Sequence, residues 1–245
     1  MKLDHMTWYE VDARINQGAA VLLPVGSTEQ HGPMGRIGTD TICAEAVALA
    51  AASRCGGIVA PPLAYTPAPF NTGFPGTVSV SAEVFQMLAN EVIAGLLAQG
   101  FRGVFVVNGH GANLEPLRTI KSTLPDNQMM IRSWWESDAV DTLRKQLYGE
   151  WEGMHATPSE IAITQSLLGV LPENQAAEPP RKLSAEYVRD HAGDRHGPPD
   201  EHRAEFPDGR VGSHSALANP KDGERLLTMA AIVIANEFRS FEQDR

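Results

Sequence analysis

Short apolar runs alternate with longer amphipathic or alanine-rich stretches along most of the chain. Runs of this length, bounded by glycine and proline, are typical of buried strands, and they occur at residues 21–25, 57–63, 101–110 and 129–135. The stretches between them predict helices over residues 6–15, 39–53, 81–99, 113–124, 139–148, 159–168 and 224–241. Strands that alternate with helices predict an α/β fold, a three-layer α/β/α sandwich around a largely parallel sheet.

The size and charge of the chain narrow the classes of partner. Its 245 residues fit one α/β domain over 1–245, without a boundary linker. The net charge of -10 disfavours nucleic acid and anionic membranes, because both would be repelled. No apolar stretch approaches the roughly 18 residues of a membrane helix, and the N-terminus lacks the apolar core of a signal peptide. Two cysteines, Cys43 and Cys55, make no disulfide framework, so we expect a cytoplasmic protein that acts on small molecules.

Three potential metal ligands follow the first predicted strand. The sequence VLLPVGSTEQHGPMGRIGTD places Glu29, His31 and Asp40 in a loop rich in glycine and proline. Loops at the carboxyl ends of strands carry the functional sites of α/β proteins. Glu29 and His31 are two residues apart, so on extended backbone their side chains point the same way. One imidazole and two carboxylates suit a divalent transition metal such as zinc or manganese, whereas three polar loop residues with unrelated partners are the alternative.

A further histidine follows the third predicted strand. The sequence FRGVFVVNGH ends in His110, between Gly109 and Gly111, which let the backbone turn tightly. Parallel strands end at the same edge of their sheet, so we expect His110 to approach the loop that carries Glu29 and His31. A buried histidine that hydrogen-bonds to the backbone is the alternative role.

Together these motifs resemble the creatininase (creatinine amidohydrolase) family of metal-dependent amidohydrolases. The first reads PVGSTEQHG with a later Thr-Asp, and the second reads VNGHGAN. The segment WEGMHATPSEIAIT, with Trp151, His155 and Glu160, resembles the family's Trp, His and Glu segment. The segment GRVGSHSALANPKDGERLL resembles its C-terminal Gly-x-x-Gly segment and final helix.

The resemblance implies a metal centre and its ligands. It assigns Glu29, His31, Asp40 and His110 as metal ligands, with Asp40 able to bridge two ions. His155 would be the proton shuttle to the leaving nitrogen, since imidazole both accepts and donates a proton near pH 7. Zinc is the expected metal, with manganese or iron as alternatives, as one or two ions per chain. A homo-oligomer is also implied, which by family resemblance is a hexamer.

The sequence departs from creatininase itself at two positions. Creatininase has a glutamate on the second metal where this chain has Ala112, and another glutamate where this chain has Met154. A two-ion site is therefore expected only if Glu160 supplies the missing carboxylate. Glu160 can instead be a catalytic residue, or can cap the helix that starts at Pro158 after Thr157, since glutamate is favoured in a first turn.

We expect a hydrolase that cleaves a non-peptide C–N amide bond with a metal-activated water. Its substrate would be a small amide, either a cyclic amide like creatinine or a formamide. Three alternatives stay open: a peptide-tailoring metalloprotease of the same family, a metal-dependent lyase or isomerase, and a non-catalytic binding module on this fold.

The segment 172–210 differs in composition from the rest of the chain, with many prolines, charged residues and histidines. The spacing of His191, His196 and His202 fits no closed metal site, so we do not expect them to be ligands. We predict that this segment is an exposed excursion, with a subunit contact as one use.

Overall fold

The computed structural model describes residues 1–172, 176–193 and 195–243. Within these ranges the strands are β1 (Val21–Val25), β2 (Ile58–Val59), β3 (Val104–Asn108) and β4 (Met129–Ser133). The helices are α1 (Trp8–Ile15), α2 (Thr39–Cys55), α3 (Ala82–Ala98), α4 (Leu114–Lys121), α5 (Asp138–Tyr148), α6 (Pro158–Leu168), α7 (Ala185–Asp190), α8 (Pro199–Glu205) and α9 (Pro220–Gln243). None of the helices in the described ranges combines the length and apolar character needed to cross a bilayer.

The strands form one parallel sheet in the order β2-β1-β3-β4. All residues of β1 and β3 are buried, as expected for strands covered on both faces. Leu22 and Phe105 pack with α2 and α9 on one face, whereas Leu23 and Val106 pack with α3 and α4 on the other. The predicted three-layer α/β/α sandwich with a parallel sheet is therefore confirmed.

Most predicted elements are found within a few residues of their predicted bounds, and the second strand is the main exception. The prediction of a strand over 57–63 is wrong beyond Val59, because Pro61 and Pro62 have no N–H to donate to a neighbouring strand. The chain returns to the sheet only at Leu63, which makes an isolated bridge with Val25. The edge strand β2 is consequently only two residues long.

The segment 172–210, of which residues 173–175 and 194 lie outside the described ranges, is exposed over most of its described length, as predicted, but Ala176, His202, Phe206, Gly209 and Arg210 are buried. The segment forms α7 and α8, and His202 and Phe206 are only 3% and 5% exposed. The His202 ring lies edge-on to Phe70, with centroids 5.1 Å apart. Aromatic packing against the 69–73 turn therefore holds this segment on the protein.

Two glycines allow the start of α2 to approach the carboxyl ends of β1 and β3. A Cβ atom on Gly26 would lie 2.3 Å from the backbone of Thr41, and one on Gly109 would lie 2.3 Å from the carbonyl oxygen of Asp40. Any larger residue at either position would push α2 away from the sheet. The glycines thus place Asp40, in the first turn of α2, beside the loops that follow both strands.

Candidate metal centre

Six acidic or histidine side chains from four loop and helix segments meet beyond the carboxyl ends of β1 and β3. Five of them are at most 5% exposed, and the side chain of the sixth, Glu160, is 12% exposed. The six residues are Glu29, His31, Asp40, His110, His155 and Glu160. The convergence predicted from the strand ends is therefore present in the structure.

Three of these side chains place an oxygen or nitrogen around one point. Nδ1 of His110 lies 3.0 Å from Oε1 of Glu29 and 3.2 Å from Oδ2 of Asp40. The Nε2 atom of His110 lies 2.7 Å from the carbonyl oxygen of Pro67, which can only accept, so Nε2 carries the proton. In the neutral imidazole, Nδ1 therefore presents a lone pair to two carboxylate oxygens.

A second group repeats this arrangement on the other side of Asp40. Nε2 of His31 lies 2.9 Å from Oδ1 of Asp40 and 3.8 Å from Oε1 of Glu160. The Nδ1 atom of His31 is 3.1 Å from the carbonyl oxygen of Glu29, so Nδ1 is the donor. Asp40 thus directs one carboxylate oxygen to each histidine.

The first group fits a cation. Oε1 of Glu29 and Oδ2 of Asp40 are buried without a hydrogen-bond partner of standard geometry among the described residues, although both lie close to Nδ1 of His110. Buried carboxylate oxygens without partners are costly. Metal-bound histidines commonly donate their second N–H to a backbone carbonyl, as His110 and His31 both do. Both groups therefore have the donor set and the tautomers of a metal site.

The charges of the cluster favour positive charge between the carboxylates. Burial disfavours a charged His31, but Asp40, Glu160 and Glu29 raise its pKa to about 10. Despite burial, the neighbouring histidines lower the pKa of Asp40 well below its usual range. Burial, together with Asp40, raises the pKa of Glu160 to about 7. A proton on His31 thus occupies a position where a metal ion would also be favoured.

Glu160 has two contacts that match the two roles considered for it. Its Oε1 accepts a hydrogen bond from the backbone N–H of Thr157, and its own N–H donates to Oγ1 of Thr157, which completes a capping box for α6. The same Oε1 lies in the group with His31 and Asp40. Capping and metal binding are compatible, because a carboxylate oxygen has more than one lone pair.

His155 lies beside the first group and is held by residues that the sequence analysis did not single out. Its Nε2 lies 2.7 Å from the carbonyl oxygen of Gln30 and 3.1 and 3.2 Å from the side-chain amide nitrogens of Gln30 and Asn71, and its Nδ1 lies 3.9 Å from Oε1 of Glu29. Burial and the nearby His31 lower the pKa of His155 to about 3. Asn71 donates to Oε2 of Glu29 at 2.9 Å, and Gln30 donates to Oδ1 of Asn71 at 2.8 Å.

Gln30 and Asn71 were missed because an amide in a loop carries no signal by itself. Gln30 directly precedes His31 in the first motif, and Asn71 is in the aromatic-rich 64–81 stretch, so their positions pointed to the site although their types did not. Both are buried, at 6% and 0% exposed. Their hydrogen bonds orient Glu29, as ligand-supporting residues do in metal sites.

A cavity of about 220 Å³ opens onto the cluster. Asp40, His110, His155 and Glu160 form its floor, and its walls include Trp134, Trp135, Arg144 and Met154. Ala112 contributes no carboxylate, and the group around His31 takes its second acidic oxygen from Glu160. The cavity is large enough for a small organic molecule rather than for a folded protein surface.

A family model described as creatinine amidohydrolase matches residues 4–237. The chain therefore belongs to the creatininase family, as its motifs predicted. A crystal structure of creatinine amidohydrolase (creatininase) superimposes with a TM-score of 0.82 and 22% identity over 100% of this chain and 98% of that one. The fold is thus that of creatininase.

The curated relatives of this chain differ in what they act on. A 3-dehydro-scyllo-inosose hydrolase of Thermotoga maritima is 40% identical over 107 residues, which are 43% of this chain and 34% of that protein. A mycofactocin precursor peptide peptidase of Mycolicibacterium smegmatis is 45% identical over 103 residues, 40% of this chain and 41% of that protein. Creatinine amidohydrolase of Pseudomonas putida is 29% identical over 181 residues, 66% of this chain and 70% of that protein. The chain thus matches less than half the length of the first two relatives.

Proposed function

We propose that this chain is a metal-dependent amidohydrolase, a single domain over 1–245 that hydrolyses the C–N bond of a small amide. The observation that carries the proposal is the pair of ligand groups that share Asp40, each with a histidine whose lone pair faces two carboxylates. Such a paired site is typical of hydrolases that use two metal ions. Cytoplasmic location and a homo-oligomer stay predictions.

The ligands divide between two ions. Glu29, Asp40 and His110 would hold one ion, and His31, Asp40 and Glu160 the other. Imidazole with carboxylates suits zinc first, and manganese or iron as alternatives. When bound, such ions supply an activated water near neutral pH and polarise the scissile carbonyl.

The remaining chemistry belongs to the chain's own side chains. His155 lines the cavity, and its neutral imidazole can take a proton and pass it to the leaving nitrogen. The contacts of its Nε2 with the Gln30 carbonyl and with the amides of Gln30 and Asn71 hold the ring for this transfer. Trp134 and Trp135 also line the cavity, and their indole rings restrict the space for water there.

A second candidate function is cleavage of a peptide near its terminus. A groove of about 650 Å³ adjoins the cavity and shares Gly111, Trp135 and Gly193 with it. A groove of this volume can hold several residues of a peptide, and one relative is a mycofactocin precursor peptide peptidase. The small-amide activity is preferred because the cavity over the ligand groups is the smaller space.

The test incubates zinc- or manganese-loaded protein in isotopically labelled water with four kinds of compound and measures their hydrolysis. The compounds are creatinine itself, a separate cyclic imide, N-formyl compounds and short peptides. The proposal predicts label in the product carboxyl group, loss of turnover after chelation, and no turnover by Glu29→Gln. Glu45→Gln, at a surface ion pair with Lys2, is the matched control and should retain activity. Product without solvent label would indicate a lyase, and peptides alone as substrates would establish the second candidate.

A further inference from the structure

Arg144 is a cationic side chain directed at the candidate site. It extends from α5 to the wall of the cavity that also contains Asp40, His155 and Glu160, and its side chain is only 16% exposed. It is the sole arginine or lysine among the described residues that line this cavity. A buried guanidinium is costly unless its hydrogen bonds are satisfied.

The hydrogen bonds of Arg144 use only part of its donor capacity. Its Nε and Nη2 atoms both lie 2.9 Å from one oxygen, Oε1 of Glu152. A guanidinium has five N–H groups, so both protons on Nη1 and one on Nη2 make no hydrogen bond with the described residues, and Oε2 of Glu152 is likewise without a partner there. The two terminal nitrogens form the edge that binds a carboxylate with two parallel hydrogen bonds.

Glu152 holds the guanidinium in place. Its side chain is 12% exposed, and Oε1 also accepts from Oγ of Ser159, a fully buried residue in the first turn of α6. The neighbouring residue along the chain is Glu160, one of the candidate ligands. Arg144 is thus fixed to the same helix terminus that supports the metal centre, which is the preorganisation that a binding residue needs.

We propose that Arg144 is the specificity residue of this site and binds a carboxylate on the substrate. The substrate class is then a small amide that carries a carboxylate, with the amide over the ligand groups and the carboxylate at the free edge of the guanidinium. This inference rests on the proposed amidohydrolase function for the identity of the reacting bond, although anion binding by Arg144 can be measured without turnover.

The test compares two probes of nearly the same shape, N-formylglycine and its neutral counterpart N-formylglycinamide. Titration calorimetry with zinc-loaded wild type should show that the carboxylate binds about 10- to 100-fold more tightly, as expected for a charge-assisted pair. Arg144→Gln should reduce this ratio to about one, and Arg144→Lys should give an intermediate ratio, since lysine lacks the fork. Arg132→Gln is the matched control, because Arg132 pairs with Glu237 outside the cavity.

The proposal is overturned if wild type binds the two probes equally, or if it binds neither. It is also overturned if Arg144→Gln keeps the preference, because the metal and not Arg144 would then bind the carboxylate. Should Arg144→Gln unfold because Glu152 is left unpaired, the double variant Arg144→Gln with Glu152→Gln replaces it and must show the same loss. Hydrolysis of N-formylglycine by wild type is measured in parallel. Absence of hydrolysis with an intact binding preference would count against the proposed function and not against Arg144.

Discussion

Nδ1 of His110 lies 3.0 Å from Oε1 of Glu29, and neither atom has a proton to share when the imidazole is neutral. The only proton of the neutral ring is on Nε2, which donates to the carbonyl oxygen of Pro67. Two acceptors at this distance in a buried site repel each other unless a cation lies between them. We therefore propose that a metal ion binds both residues, with Asp40 as the third ligand.

His155→Asn should separate catalysis from metal binding. We expect kcat to fall about 10²- to 10⁴-fold, the usual contribution of a positioned acid or base. The number of metal ions per chain should not change, because neither of the two proposed ligand groups contains His155; a lost ion would instead favour a third candidate group, which consists of Glu29, His31 and His155. Steady-state kinetics with elemental analysis measures both, and His5→Asn, at an exposed position, is the control. Unchanged kcat would remove His155 from the mechanism.

The two roles of Glu160 can be distinguished by a pair of variants. Thr157→Val removes the capping hydroxyl and should lower the free energy of unfolding by about 1 kcal/mol without changing the metal content. Glu160→Gln retains an oxygen for the Thr157 N–H, so its stability should stay within about 0.5 kcal/mol of wild type in the metal-free state. It should nevertheless lose one ion per chain. Denaturant unfolding of chelated protein gives the stability.

Thr7→Val is the control for this pair, because Thr7 and Glu10 form an exposed capping box on α1 that contains no candidate metal ligand. It should show the stability loss of Thr157→Val and full metal content. If Glu160→Gln retains every ion, Glu160 is a cap only and the second group lacks its third ligand.

Acid should destabilise the protein through the histidines of the 176–210 segment. Burial, with His202 and His191 nearby, lowers the pKa of His196 to about 4 from 6.5, although Glu29 acts in the opposite direction. The unfolded chain therefore takes up this proton first as the pH falls. The contribution of neutral His196 to the free energy of unfolding is fully present above pH 6.5 and is lost as the pH falls from 6.5 to 4. This contribution is at most about 3 kcal/mol.

His196→Gln should flatten this part of the stability profile, measured by denaturant unfolding of chelated protein across the same pH range. His5→Gln, at an exposed position, should leave the profile as in wild type. A profile for His196→Gln that coincides with wild type would show that His196 is not buried in solution as it is in the structure.

The sequence predicted the position of a site residue where the local pattern of strand ends and helix starts is enough to locate it. Glu29, His31 and His110 could be located because each follows an apolar strand, and parallel strands bring such loops to one edge. Glu160 could be located as a cap because Thr157 and Pro158 mark a helix start. The family resemblance added the order of the motifs and a role for His155. These inferences depend on neighbours along the chain, which a sequence displays.

Other features depend on contacts between distant residues and could not be predicted. The six-residue α7 and seven-residue α8 are polar and too short for a hydrophobic period, and the burial of His202 depends on the rings of Phe70, His196 and Phe206 that lie against it. Arg144 is one of several charges on an amphipathic helix, and its approach to the cavity depends on Glu152 and Ser159.

Whether Asp40 serves two ions is measured most directly by the metal content per chain of matched variants after purification without chelator. We predict two ions in wild type, one in Glu29→Gln and one in Glu160→Gln. Asp40→Asn should hold none firmly, because it weakens both groups at once. No transition metal in wild type, or an Asp40→Asn variant that keeps both ions, would contradict the claim that Asp40 serves two ions.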